Sequence, residues 1–266
     1  MQAREWKKTL TGSPEKRIIV SMGRARALLC TATLIVAVAM PSAAQIDRFG
    51  HVGGPCIQGA LALDAPVANV REFVPADFPL IQAGGRAALF AYTVECERVS
   101  VTGGPESTAR LTGVAAFVRP PDGSPGVQAY DILMTADRRD YVRAHNALGL
   151  LQGLVRVGFE RTTVAGPVLD ITAETPWRYS PYRWNLTAIA PPPAGLPLTT
   201  VHWQDGRRGR VLIEYDHTGL IVTPGFGSLT AAAGSPLARL LGTEEVTAAP
   251  GAILQFSYSG TATLEP

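Results

Sequence analysis

Apolar residues in this chain fall in short stretches with alternating polar positions, broken at intervals of roughly 10 to 20 residues by glycine or proline. Ten such stretches, at residues 88–94, 98–102, 111–118, 127–134, 154–160, 168–173, 185–190, 211–215, 220–222 and 253–263, predict β-strands. Their number and spacing favour a large antiparallel sheet, a sandwich or a barrel. Turn chemistry agrees, notably Pro120-Pro121-Asp122-Gly123 and Asp205-Gly206. Gly225-Phe226-Gly227-Ser228 lacks the lysine and following helix of a phosphate-binding loop and reads as a plain turn.

Two segments carry helical spacing instead. Over residues 137–150, Tyr141, Ala144, Leu148 and Leu151 share a face that can pack on a sheet, which leaves Arg138, Arg139 and Arg143 toward water. Over residues 235–241, Ser235 can cap, Pro236 suits the first helical position and Gly242 the exit. Pro191-Pro192-Pro193 makes residues 190–197 a stiff extended connector. Strand density is similar on its two sides, so residues 45–266 are expected to form a single domain.

The first 44 residues do not fit this pattern. From Met22 a short basic region leads into an apolar run at 27–40 and then Pro41-Ser42-Ala43-Ala44, the layout of a secretory signal peptide cleaved after Ala44, with the true start near Met22. The run is shorter than the roughly 20 apolar residues of a membrane span, so the expected product is secreted, or periplasmic in the cell envelope, with no permanent membrane anchor. Removing residues 1–44 takes away seven cations and two acids, which turns the formal charge of +2 into −3. The remaining domain has no electrostatic case for binding nucleic acid. Its two cysteines, Cys56 and Cys96, are expected to form a disulfide, since an isolated pair in an exported chain is more often bridged than metal-bound.

Familiar catalytic and cofactor motifs are missing. The chain has no Gly-x-Ser-x-Gly elbow, no P-loop, no dinucleotide-binding glycine fingerprint and no His-Glu-x-x-His. Glu214 and His217 are three apart, but on a strand they face opposite sides, so no metal site is expected. No cofactor is expected either. The Arg207-Arg208-Gly209-Arg210 cluster reads as a solvated loop or as a handle for an anionic partner. Trp177, Tyr179, Tyr182 and Trp184 line a pocket or pack in the core.

Residues 127–160 (VQAYDILMTADRRDYVRAHNALGLLQGLVRVGFE), the upstream Arg71-Glu72-Phe73-Val74-Pro75 and the late Ser235-Pro236-Leu237-Ala238-Arg239-Leu240-Leu241-Gly242 together resemble the acetoacetate decarboxylase-like proteins. The resemblance implies a mainly β (α+β) fold, a large antiparallel cone-like β-barrel with two short helices around an apolar pocket. A secreted lipocalin-like barrel would share the strand statistics, but here the clearest helix is mid-chain. In the family a lysine forms a Schiff base with a β-keto acid. Laying Gly149-Leu150-Leu151-Gln152-Gly153 on that segment puts Gln152 and Gly153 at the two lysine positions, and Leu111-Thr112-Gly113 where the family has a glutamate. The only lysines here are Lys7, Lys8 and Lys16. An amide cannot form an iminium, so the resemblance implies a barrel without lysine-dependent decarboxylation.

Three functions follow from this resemblance. The first is an exported pocket protein that binds a small apolar or carbonyl-containing molecule through Gln152, Tyr130 and Arg143. The second is a non-Schiff-base enzyme, a hydratase, isomerase or catalyst of lactone or keto-acid chemistry, with acid–base groups such as Glu160, His145 or His202 and with Gln152 as a further catalytic candidate. The third is an envelope interaction protein using the arginine cluster. The oligomeric state is left open, a homo-oligomer included.

Overall fold

A computed structural model describes residues 46–121, 123, 127–150, 152–163, 169–175, 181–188 and 196–265. The expected leader, Trp177, Tyr179, Leu151 and the triple proline lie outside these residues. The chain runs through β1 (Arg48–Pro66), α1 (Val67–Val70), β2 (Gln82–Ala83), β3 (Arg86–Val101), β4 (Ser107–Phe117) and β5 (Val127–Ala136). It continues through α2 (Arg139–Ala147), β6 (Gly153–Leu154), β7 (Gly158–Thr163), β8 (Leu169–Thr175) and β9 (Tyr182–Ala188). It ends with β10 (Leu196–Gly206), β11 (Gly209–Ala231), α3 (Pro236–Leu241) and β12 (Glu245–Leu264).

Strands β10, β5, β4, β3, β1, β12 and β11 bond side by side in that order, and β11 pairs again with β10, which closes a barrel. The second half of β11 pairs instead with β9, and β8 and β7 follow. This β7–β9 sheet folds back over the outside of the barrel. Gly219 (φ 63°) sits at the register shift between Thr218 and Ile221, where β11 is irregular against β12.

The barrel is not wholly antiparallel. β10 lies parallel to β5, from Thr200↔Val127 to Trp203↔Tyr130. Between these strands the chain makes α2 and the outer sheet, so no tight hairpin dictates antiparallel return.

Two cores result. Inside the barrel, Val94, Met134, Ile213, Leu220 and Phe256 pack under the α2 residues Tyr141 and Val142. Outside it, Leu61, Leu229 and Ile253 of the barrel wall meet Phe159, Ile171 and Leu186 of the outer sheet, with Leu237 and Leu240 of α3. The expected disulfide is present: Cys56 and Cys96 are cross-strand partners on β1 and β3.

Several boundaries differ from expectation. Residues 88–94 and 98–102 are one strand, as are 211–215 and 220–222, while 154–160 splits into β6 and β7. Gly225 to Ser228 lie within β11 rather than in a turn. A Cβ at Gly225 would strike the Thr187 carbonyl and one at Gly227 that of Asn185, so these glycines let β9 approach. The β10–β11 turn falls at Arg207-Arg208, with Gly206 paired to Gly209, two residues beyond Asp205-Gly206. β1 was not expected, because Gly50, Gly53, Gly54, Pro55 and Gly59 read as breaks. β10 was obscured by its polar positions, and α1 is only four residues long.

Arg138 was expected to face water and is instead buried, bonded to the carbonyls of Val99, Pro105 and Ser107 and to the Asp140 carboxylate. A guanidinium at the start of α2 can satisfy the carbonyls of the adjacent β3–β4 connection, and its five donors suit that task. α3 matches expectation: Ser235 Oγ accepts from the Ala238 amide at 3.2 Å, Pro236 opens the helix, and Gly242 leaves it at φ 73°.

Candidate functional site

The barrel encloses a cavity of about 410 Å³. Its wall is mostly apolar, from Val94, Leu111, Ala129, Leu254 and Phe256, and it reaches the partly exposed Val127 on one side and Tyr141 of α2 on the other. Polar groups on this wall come from β1, β3, β4, α2, β10, β11 and β12: Gln58, Tyr92, Arg110, Tyr141, Thr200, His202, Tyr215, His217 and Tyr258.

Strand alternation places them there. On β10, Leu198, Thr200 and His202 project inward, and on β11 their partners Tyr215 and His217 do the same. On β5, Val127 and Ala129 line the cavity while Gln128 and Tyr130 face outward. Between Val114 and Ala115 of β4 the register shifts past Ile132, a bulge immediately beside Asp131. The Asp131 carboxylate thereby stays inside, fully buried, with His202 Nδ1 at 3.1 Å from Oδ1 and 3.2 Å from Oδ2. The Tyr92 hydroxyl donates to the same Oδ1 at 3.4 Å. Gly113 makes room for this ring, because a Cβ there would meet the Tyr92 hydroxyl at 2.8 Å.

No described residue hydrogen-bonds His202 Nε2, and the ring lines the cavity. Edge contacts from Phe90, Tyr92 and Tyr215 hold its plane, with the Tyr215 centroid 5.4 Å away. Beyond it, the hydroxyls of Tyr141 and Tyr215 are 3.2 Å apart. Burial holds the phenols of Tyr92, Tyr141 and Tyr215 well above their ordinary range, reinforced by Asp131 at Tyr92 and by neighbouring tyrosines at the other two. All three therefore stay protonated at neutral pH. His217 shares a hydrogen bond with Thr200 at 3.0 Å and is held at about 4 by burial and by His202, so it is neutral.

Of the candidates named from sequence, only His202 lines this cavity. Tyr130 faces the outer core against Phe78, its hydroxyl accepting from the Asp205 amide at 3.1 Å. Arg143 and Glu160 are exposed. His145 is buried behind Tyr141, bonded through Nδ1 to the Tyr141 carbonyl at 2.9 Å. Gln152 is buried, its backbone tied to the Asn146 side chain, and its own amide meets no partner among the described residues. Asp131 was overlooked because an acidic residue inside an apolar strand looks like a pattern error until the bulge and β10 are in place.

The arginine cluster is largely committed to the fold. Arg208 bonds Asp47 and the Ala147 carbonyl, and Arg210 pairs with Asp77 and Asp205 while covering the Phe78 ring at 4.3 Å. Tyr182 and Trp184 are core residues, with Tyr182 Oη 2.6 Å from Thr112 Oγ1. Among the described residues no three metal-ligating side chains cluster, and no helix is long and apolar enough to cross a membrane.

No protein-family profile and no curated protein matches the chain. Solved structures do. An acetoacetate decarboxylase-like enzyme from Sphingomonas wittichii RW1 aligns over 83% of this chain and 93% of its own, with TM-score 0.53 and 12% identity. An acetoacetate decarboxylase aligns over 85% and 94%, with TM-score 0.52 and 14% identity. The enduracididine biosynthesis enzyme MppR, complexed with pyruvate, aligns over 81% and 88%, with TM-score 0.53 and 12% identity. The chain thus has the acetoacetate decarboxylase-like fold that its sequence resemblance implied.

Proposed function

We propose that the protein is an exported barrel that holds a small, largely apolar molecule bearing a carbonyl oxygen, and that it does so without Schiff-base chemistry. The carrying observation is the roughly 410 Å³ mostly apolar cavity whose wall carries phenol and imidazole groups in mutual ring contact. An apolar body with a single oxygen matches that distribution, because hydroxyl donors left without a partner in such a cavity are costly. A likeness in fold to MppR, solved with pyruvate, supports a carbonyl-containing ligand. With no lysine after Lys16, no ε-amino group is available to the barrel for an iminium. The Cys56–Cys96 disulfide supports an oxidising compartment outside the cytoplasm.

The test is calorimetric titration with phenylacetone and with propylbenzene, its counterpart lacking the oxygen. The ketone should bind at least several-fold more tightly, and Ala129→Phe should abolish binding while the far-ultraviolet dichroism is kept. Borohydride added to the ketone complex should leave the protein mass unchanged. No saturable binding of either compound up to millimolar concentration would remove the pocket reading; a borohydride-trapped adduct would remove the non-covalent one.

A further inference from the structure

Four histidines border the cavity or its α2 end, without the same prospects: His51, against Tyr141 and Tyr215, has both ring nitrogens buried with no partner among the described residues. His145 has Nε2 buried with no partner among the described residues, and His217 has Nδ1 buried and Nε2 on Thr200. Only His202 has one nitrogen held by a carboxylate while its ring opens onto the cavity. A carboxylate-bound histidine with a purely structural role commonly has its second nitrogen bonded as well; here no described residue bonds Nε2 and the ring lines the cavity.

We propose that His202, oriented by Asp131, is a general base that removes a proton from a carbon adjacent to the ligand's carbonyl, which makes the barrel an enolising isomerase. This rests on the pocket reading above. With Nδ1–H donated to Asp131, the Nε2 lone pair is the one directed at the ligand. The C–H bond breaks, its proton goes to Nε2, and its electron pair forms the C=C bond as the carbonyl π pair moves onto oxygen. The imidazolium so formed is stabilised by the buried Asp131 carboxylate. The enolate oxygen needs a donor. In the Tyr141–Tyr215 pair one hydroxyl donates to the other, so the second keeps a proton to offer. Returning the proton from Nε2 to the same carbon gives exchange, and returning it elsewhere in a conjugated ligand gives isomerisation. No oxidant, metal or external acid enters the balance. His202 is the catalytic residue here, and Asp131 is a positioning residue that acts through it.

The experiment follows loss of the α-proton signals of phenylacetone in deuterium oxide by NMR, beside calorimetric binding of the same ketone. The wild-type protein should accelerate exchange at least ten-fold over buffer, and His202→Gln, which keeps a polar side chain of similar reach, should return it to the buffer rate without loss of binding. Asp131→Asn should slow exchange about ten- to a hundred-fold and move the acidic limb of its pH–rate profile to lower pH, a displacement that simple loosening of the barrel would not produce. Ketone that binds yet exchanges no faster than in buffer, or at an equal rate in His202→Gln, overturns the assignment and leaves the pocket reading standing. Absence of binding removes both.

Discussion

The indole of Trp184, on β9 of the outer sheet, occupies the space that a side chain at Gly59 of β1 would fill. Trp184 is 1% exposed and cannot swing away. Gly59→Ala should therefore cost about 1–3 kcal/mol, as overpacking does, read as a lower urea midpoint. The ketone affinity should hardly change, since Gly59 faces away from the cavity while its neighbours Gln58 and Ala60 line it. An unchanged midpoint would show that the outer sheet does not press on the barrel at this point.

Arg138 is 7% exposed and bonds three backbone carbonyls and one carboxylate. Arg138→Met keeps most of the bulk and removes every donor, leaving the Val99, Pro105 and Ser107 carbonyls without it. The expected loss is about 3 kcal/mol, and Arg138→Lys should recover only part of it because an ammonium cannot span the same carbonyls. Chemical denaturation of the three proteins gives the comparison.

Acid should destabilise the barrel well above the carboxylate range. Burial, with His145 nearby, holds His51 at about 3, burial holds His145 at about 4, and burial with His202 holds His217 at about 4. Each of the three has an ordinary value of 6.5, so the unfolded chain binds more protons as pH falls. The stability from keeping them neutral is complete above pH 6.5 and is lost as the pH drops toward 4, by at most about 1.4 kcal/mol per pH unit for each histidine. Thermal midpoints at pH 7.5, 6 and 5 should fall in that order, and His51→Phe should flatten the decline. A flat profile would place these imidazoles in contact with water.

Replacing Cys56 and Cys96 by serine should cost about 2–4 kcal/mol, because the bridge closes a loop between residues 40 apart in sequence. A reductant should lower the melting temperature of the wild type and leave the double variant unaffected. Since Cys96 also lines the cavity, ketone affinity should weaken in the double variant.

Much of this architecture is visible in the alternation of residues. The 235–241 helix was readable to the residue, because Ser235, Pro236 and Gly242 act through their own backbone geometry. The strands 111–118 and 127–134 were nearly so, each having a buried face. β1 was not, since its glycines and proline break the local pattern and it is held by β3 and β12, neighbours far along the chain. Gly59, Gly225 and Gly227 look like turn residues and are sites of close packing. Arg138 looked like a solvated arginine, because nothing local reveals the carbonyls that wait for it on another segment.

The candidate site divides the same way. That no lysine after Lys16 can serve the barrel is a property of composition and needs no coordinates. The disulfide could be expected from two cysteines in a chain that reads as exported. The pairing of Asp131 with His202, 71 residues apart, could not. It depends on a bulge in β5, on the parallel return of β10 beside that strand, and on Gly113 leaving room for Tyr92. Local preferences and side-chain chemistry are written residue by residue, whereas the cavity and its acid–base pair arise from long-range strand pairing, whose register no short window of sequence contains.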